Sequence, residues 1–428
     1  MTTATAQKNS PPRKLQSERK VIEKATINDF ALEQELVLLC SRTELKSEQI
    51  NRVSFIISLM PDWDYVLGIS YRNGVLPLVS KNLLNNFVLS IDSETKNKIG
   101  EFYNEHTLQN IYITGKLIEV IKMLDSAGIP SLPFKGPTLA MQIYKNLSLR
   151  QFVDLDLLVQ PKHFDASVKL FLENGFQTYA ETDLKKSNAL FINRKKDIGL
   201  VSEDEKVRIE LHWKLSGSFF ALPFELKELW NRLEKTNLGG CEINALPFND
   251  LFVYLCLHGA RHGFERLGWI CDLCELIKSE KEIDWQSVRD HAKNHGCGKT
   301  VELGLLLAYE LFGIKTSYPD WEQIEQDEIL KKIVARIRKK IFTKEFNSTE
   351  IGDWYLYHLM LKEKKTDQIK LHLHYIFWYL KLALKPNTVD RSIFHLPPVF
   401  YPLYYILRPT RLLLNYLSGK NSKDKPSL

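Results

Sequence analysis

Two aspartates lie within an apolar segment of the chain, Leu149–Val159, which reads LRQFVDLDLLV. Because side chains alternate across a β-strand, a strand here would direct Asp154 and Asp156 to one face and its apolar residues to the other. Two neighbouring carboxylates repel each other and resist desolvation unless a counter-charge is present. A hard divalent cation such as Mg²⁺ supplies that counter-charge. On a solvent-exposed sheet face, water would solvate the carboxylates and no counter-charge would be needed. The pair therefore predicts either a metal site or a solvent-exposed edge.

A second segment carries a third carboxylate. In KVRIELHWK, Lys206–Lys214, apolar and polar residues alternate with a period of two, which is typical of a strand. Glu210 and His212 belong to its polar face, and the residues EDEK just before it predict a turn from an earlier strand. If this strand lies beside the first, Glu210 faces the two aspartates. The alternative is an ordinary solvent-facing row of polar side chains.

A strand-like run, IPSLPF, leads into Lys135 and Gly136 and then into a helix that begins GPTLA. Free backbone N–H groups at the start of a helix can bind an anion, and a glycine lets a phosphate approach the backbone closely. Lys135 would add a positive charge to such a site. The same Lys-Gly pair also suits an ordinary helix N-cap, so its interest comes from its position just before the carboxylate segment.

The elements that must position these residues fall into zones of different apolar periodicity. A helical spacing dominates both ends of the chain, and short β-like runs alternate with helices in between. We therefore expect an α+β protein, a mixed sheet flanked by helical regions. The expected zones are a disordered basic tail at residues 1–27, a helical lead at 28–128, the sheet domain at 129–248, a helical domain at 249–390 and an apolar tail at 391–428.

Composition indicates the broad class of the protein. A chain of 428 residues with 44% hydrophobic and 26% charged residues can bury a large core. Its net charge of +6 is spread along the chain, which is only a weak sign of a nucleic-acid partner. The first residues contain no long apolar run, and the six cysteines form no dense framework. We expect a cytoplasmic protein with reduced thiols.

Three segments, FKGPTLAMQIY, LRQFVDLDLLV and IELHW, resemble in this order the motifs of the bacterial nucleotidyltransferase family within the polymerase-beta-like superfamily. Asp62–Leu78 and Leu255–Leu273 are similar to the helical segments on either side of that family's sheet. The resemblance extends over about residues 30–280. It implies a nucleotidyltransferase-fold mixed sheet domain flanked by N- and C-terminal helical regions.

The resemblance also implies a reaction, the transfer of a nucleoside monophosphate from an NTP such as ATP to an acceptor hydroxyl. It assigns two Mg²⁺ ions to Asp154, Asp156 and Glu210, which would be both catalytic residues and metal ligands. Many superfamily members have Gly-Ser or Gly-Gly at the phosphate turn, and Thr138 would replace that serine here. The residues assigned to substrate are Lys135, Gly136, Thr138, Arg150, His212, His258 and His262.

The acceptor could be a small molecule, a glycolipid, a protein or an RNA. A non-catalytic alternative is a nucleotide-binding, regulatory or toxin–antitoxin-like protein that keeps the fold. The complete set of three carboxylates favours the enzyme, and the altered phosphate turn favours the alternative.

Two further patterns have open interpretations. His258 and His262 are four residues apart, and Cys271 and Cys274 are three apart, which suits either a zinc site or two ordinary helix faces. The C-terminal stretch is rich in aromatic residues and leucine, but its prolines and arginines exclude a membrane-spanning helix. We expect it either to make weak contact with a membrane surface or to pack on the protein.

Overall fold

The structure is a computed structural model, and it describes residues 30–179, 196–215, 226–279, 283–343, 351–384 and 388–417. The expected disordered tail at residues 1–27 lies outside the described residues. The sequence also predicts a short β-like run at residues 189–194, ALFINR, and this run lies outside them too.

Helices make up most of the described chain. The helices are α1 Leu32–Cys40, α2 Ser47–Ser58, α3 Trp63–Arg72, α4 Leu76–Asn86, α5 Ser93–Ser126, α6 Gly136–Leu139, α7 Phe164–Glu173, α8 Leu226–Asn231, α9 Phe248–Arg261, α10 Leu267–Lys278, α11 Trp285–Asn294, α12 Gly298–Phe312, α13 Trp321–Gln326, α14 Glu328–Ile341, α15 Ile351–Met360, α16 Lys365–Leu384, α17 Thr388–Phe394 and α18 Tyr404–Leu417. A π-helical turn, Ala140–Tyr144, continues α6, and 3₁₀ turns span Leu147–Leu149, Pro161–His163 and Pro398–Leu403.

The strands form a five-stranded sheet and a separate hairpin. The strands are β1 Ser131–Pro133, β2 Leu155–Val159, β3 Phe176–Thr178, β4 Asp197–Ser202, β5 Arg208–His212, β6 Glu234–Leu238 and β7 Cys241–Ala245. The large sheet has the order β1-β2-β5-β4-β3, and only the β2–β5 pair is parallel. The predicted α+β class, a mixed sheet flanked by helices, is confirmed. The β6–β7 hairpin was not predicted from the sequence.

The long helix α5 shows how local sequence sets the limits of an element. The carboxylate of Asp92 accepts a hydrogen bond from the backbone N–H of Thr95 at 2.8 Å, which satisfies one of the free donors at the helix start. At the other end, Gly128 adopts a positive φ of 70°, a conformation that costs glycine little. The helix therefore ends just before this glycine, and the chain continues into β1.

One face of the sheet packs on helices. Leu157 of β2 and Leu211 of β5 are fully buried in a cluster that also contains Leu117 of α5. Trp213, just after β5, packs edge-to-face on Phe164 of α7 with ring centroids 4.4 Å apart. Because side chains alternate along a strand, burying these residues directs the intervening polar ones to the other face.

The chain divides into two compact units, one of Met1–His295 and Thr300–Lys344 and another of Gly296–Lys299 and Glu345–Leu428. The five zones expected from the sequence remain predictions. Among the described helices, none combines the length and the apolar character needed to cross a bilayer.

Candidate active site

The candidate site begins with the pairing of β2 and β5. These strands run parallel, with Asp156 opposite Glu210 and Leu158 opposite His212. Since opposite residues share a face of the sheet, as do residues two apart in one strand, Asp156, Glu210 and His212 project to the same side. Asp154 lies one residue before β2 and lines the same cavity. Glu210 thus faces Asp156, as the sequence predicted.

Asp156 is the centre of a buried polar cluster. Its side chain is 3% exposed, and Lys135 donates a hydrogen bond from Nζ to its Oδ1 at 2.8 Å. Nε2 of His212 lies 3.2 Å from the same oxygen and 3.3 Å from Oε2 of Glu210. His212 therefore joins the carboxylates of the two strands, and Lys135 provides the counter-charge that a buried carboxylate requires.

These contacts keep Asp156 and Glu210 ionised. Burial acts to raise the pKa of Asp156, but the charge of Lys135 and the hydrogen bond with His212 outweigh it and hold the pKa well below its usual value. The hydrogen bond with His212 is also the main cause that lowers the pKa of Glu210. Burial alone would lower the pKa of Lys135, yet the nearby Asp156 raises it, so the ammonium stays charged.

Asp154 differs from the other two acids. Burial, followed by repulsion from Asp156, raises the pKa of Asp154 above its ordinary value. The two aspartates are therefore electrostatically coupled, as expected for like charges that share one site.

The residues present fit a divalent cation. Asp156, Glu210 and His212 each offer a ligand atom, and these atoms lie within 4.8 Å of one another. Two carboxylates suit a hard cation, and imidazole is a ligand for several transition metals. In the described parts of the chain this is the one group of three or more such side chains close enough to hold an ion. His212, predicted only as a substrate or supporting residue, joins this set, whereas Asp154 does not.

A cavity of about 600 Å³ opens in front of the cluster. This volume lies within the usual range for small-molecule sites. Asp154, Asp156 and Glu210 form part of its lining, and Lys135, Arg150, Lys196 and Arg261 also line it. Basic and acidic side chains thus face a common space, which suits a ligand that carries phosphates together with a cation.

Of the residues predicted at the phosphate turn, Lys135 and Gly136 line the cavity and Thr138 does not. Gly136 lines it with a positive φ of 52°, and a Cβ there would lie 3.2 Å from the backbone oxygen of Asp154. The glycine thus allows the turn to approach the carboxylate segment closely. Thr138 is fully buried and is not a lining residue, and its hydroxyl has no hydrogen-bond partner among the described residues.

Arg150 reaches the cavity from a fixed position. Its guanidinium pairs with the buried carboxylate of Asp272 on α10, with Nη2 3.1 Å from Oδ2. The hydroxyl of Tyr144 donates to the other oxygen of Asp272 at 2.9 Å. Asp272 therefore holds an arginine at the cavity, and such a fixed guanidinium can bind phosphate oxygens.

Helix α9 also lines the cavity. Tyr254, His258 and His262 follow one another at intervals of four residues, which places them on one helix face, and all three line the cavity. Burial lowers the pKa of His258 well below its ordinary value and lowers that of His262 to about 4. Both rings are therefore neutral near pH 7 and can donate or accept hydrogen bonds.

The zinc interpretation of the histidines and cysteines gains no support. Cys271 and Cys274 are buried in α10 and do not line the cavity, whereas His258 and His262 do. The thiol of Cys271 donates to the backbone oxygen of Ser41, with 3.4 Å between sulfur and oxygen. Burial raises the pKa of Cys274 to about 12, so its thiol stays protonated.

Several lining residues escaped the sequence analysis. Tyr254 could have been found, because it precedes His258 by one helical turn. Trp269 also lines the cavity, and its ring centroid lies 5.3 Å from that of His262. Lys196 and Asp197 also line the cavity but belong to no recognisable sequence motif. They come near the site because Asp197 of β4 lies opposite His212 of β5 in the sheet.

Comparison with known proteins gives one family. The model of a family described as "Uncharacterised nucleotidyltransferase" matches residues 60–313, which is more than half of the chain. The match includes β1 to β7 and the helices α6, α9 and α10, which contribute lining residues to the cavity. Searches among curated proteins and among solved structures gave no match.

Proposed function

Because the chain belongs to this family of uncharacterised nucleotidyltransferases, we propose that it transfers a nucleoside monophosphate from an NTP to an acceptor hydroxyl, with release of pyrophosphate. The observation that carries the proposal is the register of β2 and β5. It places Asp156 directly opposite Glu210, with His212 in contact with both carboxylates.

The three acids, Asp154, Asp156 and Glu210, are proposed to hold two Mg²⁺ ions together, with Glu210 completing the ligands of the ion on the acceptor side. When bound, the cations lower the pKa of the attacking hydroxyl and neutralise charge on the triphosphate. Glu210 suits the acceptor side because its side chain is 41% exposed and remains ionised. His212, which is 1% exposed, positions Glu210 and Asp156.

The basic residues are proposed to bind the triphosphate. Gly136 lets it approach the turn, and Arg150 presents a guanidinium fixed by Asp272. Lys135 lines the cavity beside Asp156, and its ammonium would be available to phosphate if a bound cation supplied the counter-charge of that carboxylate. His258 and His262 offer neutral imidazoles that can hydrogen-bond the nucleotide or the acceptor. Thr138 would need a different conformation to contact phosphate, so we give it no direct role.

We propose a cytoplasmic protein, since the reaction consumes NTP and the six cysteines form no disulfide with one another. The acceptor is proposed to be a small molecule, a glycolipid, a protein or an RNA with a free hydroxyl. We also propose contact between a membrane surface and the C-terminal region that the sequence indicated, residues 391–428.

The test is transfer of label from α-³²P-labelled NTPs, with Mg²⁺, into components of a cell lysate. We expect the wild type to label an acceptor, and Asp156→Asn and Glu210→Gln to reduce the rate by on the order of a hundredfold or more, because each removes charge from the site. Asp204→Asn is a matched control, since this exposed acid lies in the turn between β4 and β5. Equal labelling by all the variants would refute the proposal. Nucleotide binding without transfer would instead support the non-catalytic alternative, which the buried position of Thr138 favours.

A further inference from the structure

The C-terminal unit has an apolar helix face that is exposed. In α16, six large apolar side chains recur at intervals of three, four or one residues, which places them on one face of the helix. Each is between 45% and 75% exposed, and they are Ile369, Leu373, Ile376, Phe377, Leu380 and Leu384. We call these six residues the α16 apolar face. An exposed apolar surface of this kind typically marks a site of interaction.

The neighbouring helix α18 likewise directs charged side chains inward and apolar side chains outward. Arg408 and Arg411 point inward, where they pair with the buried carboxylate of Asp390 at 2.7 Å and 2.9 Å. Meanwhile Tyr405 and Ile406 of α18 are 55% and 65% exposed. Helices α16 and α18 are in contact with each other. The unit thus buries charges and exposes apolar and aromatic side chains, which is the reverse of the usual arrangement in water.

Charge indicates what this surface contacts. Residues 345–428 contain 12 lysines and arginines against seven aspartates and glutamates, and this difference of five compares with a net charge of +6 for the whole chain. Three exposed lysines lie at or just before the start of α16, Lys364, Lys365 and Lys370, and the last of them also pairs with Asp367 at 3.3 Å. A second copy would bring the same positive excess against the first, whereas an anionic lipid surface complements it.

We propose that the C-terminal unit docks on an anionic bilayer surface through the α16 apolar face, with the lysines at the start of α16 contacting lipid headgroups. The apolar side chains enter the boundary between headgroups and acyl chains, as in interfacial amphipathic helices. Aromatic residues such as Phe377 and Tyr405 suit this depth. The docking surface includes a helix that precedes the region indicated by the sequence, and it is independent of the transferase chemistry.

The test is flotation of the full chain with vesicles of phosphatidylcholine alone or mixed with phosphatidylglycerol. We expect flotation with the mixed vesicles, less flotation with phosphatidylcholine alone, and weaker binding at high salt. The double substitution Leu373→Asn and Phe377→Asn should weaken vesicle binding by about tenfold or more, because it removes two apolar groups from the contact. Leu89→Asn is the matched control, since Leu89 is 96% exposed but lies in the other unit.

Circular dichroism and thermal unfolding would show that the variants remain folded. The proposal is overturned if the wild type does not float with the mixed vesicles, or if the double variant floats equally well. It is also overturned if sedimentation velocity shows a dimer that the double variant abolishes while vesicle binding is unchanged, because a second copy would then cover the face.

Discussion

Lys135 acts as the counter-ion of Asp156, so replacing it with methionine tests the electrostatics of the site directly. Methionine keeps most of the side-chain length and apolar contact but removes the charge. The side chain of Lys135 is 16% exposed and that of Asp156 is 3% exposed. The ammonium nitrogen lies 2.8 Å from Oδ1 of Asp156. At this separation two unit charges attract by about 6 kcal/mol for an effective dielectric constant of about 20.

Much of that attraction offsets the desolvation of the two charges. Removing one partner of a buried pair typically costs roughly 3–5 kcal/mol, because the other charge is left uncompensated. His212 remains 3.2 Å from Asp156 and relieves part of this penalty. We therefore expect Lys135→Met to lower the free energy of unfolding by about 3 kcal/mol at pH 7 in the absence of divalent cations.

Added Mg²⁺ should affect the two proteins differently. In the variant a cation can bind Asp156 without displacing an ammonium, and at ten times its dissociation constant it would restore about 1.4 kcal/mol. Urea unfolding with EDTA or with Mg²⁺ measures both effects. Lys116→Met is the control, because Lys116 forms an exposed pair with Glu119 and should change stability little.

Two results would refute this reasoning. One is unchanged stability of Lys135→Met in EDTA, which would mean that the ion pair does not stabilise the fold. The other is equal stabilisation of the wild type and the variant by Mg²⁺, which would mean that Lys135 and the cation do not compete for Asp156.

Three further substitutions probe the surroundings. Gly136→Ala should lower the free energy of unfolding by about 1–2 kcal/mol in urea unfolding. The alanine would have a positive φ, and its Cβ would lie 3.2 Å from a backbone oxygen. Gly74→Ala should cost less, because Gly74 has a similar φ but no atom lies within 4 Å of the added Cβ. Asp272→Asn should destabilise by roughly 3 kcal/mol in thermal unfolding, because it leaves Arg150 buried without its carboxylate, and a loss close to zero would contradict the pairing. The folded pKa of His262 is about 4, below its ordinary 6.5, so the neutral ring contributes stability above pH 6.5 that is lost as the pH falls toward 4. When the free energy of unfolding is measured at a series of pH values, His262→Gln should reduce the loss between pH 6.5 and 4 by on the order of 2 kcal/mol. An NMR titration in which His262 protonates near its ordinary pKa would contradict this expectation.

Local sequence patterns predicted the fold class and the strands that bear the acids of the candidate site. The alternation in IELHW predicted β5, and the two aspartates marked the start of β2. The change from helical spacing to short β-like runs follows the order of α5 and β1 along the chain. These features are local because the alternation of side chains along a strand and the hydrogen bonds within a helix depend on residues close together in sequence.

Other features have no local signal. The β6–β7 hairpin went unnoticed, and neither Asp272 nor Asp197 belonged to a recognisable motif. Thr138 was placed at the phosphate turn by resemblance, yet its side chain is buried away from the cavity. The short helix and π-helical turn there determine which side chains face inward, and spacing alone does not fix that rotation.

The sequence by itself determined that this chain forms an α+β protein with acids at two strands and a lysine–glycine turn before them. Only the tertiary structure decided that Asp156 stands opposite Glu210, that Lys135 neutralises Asp156, and that Asp272 fixes Arg150. The physical reason is distance along the chain. These contacts join residues that are between 21 and 122 positions apart, and their formation depends on the packing of whole elements.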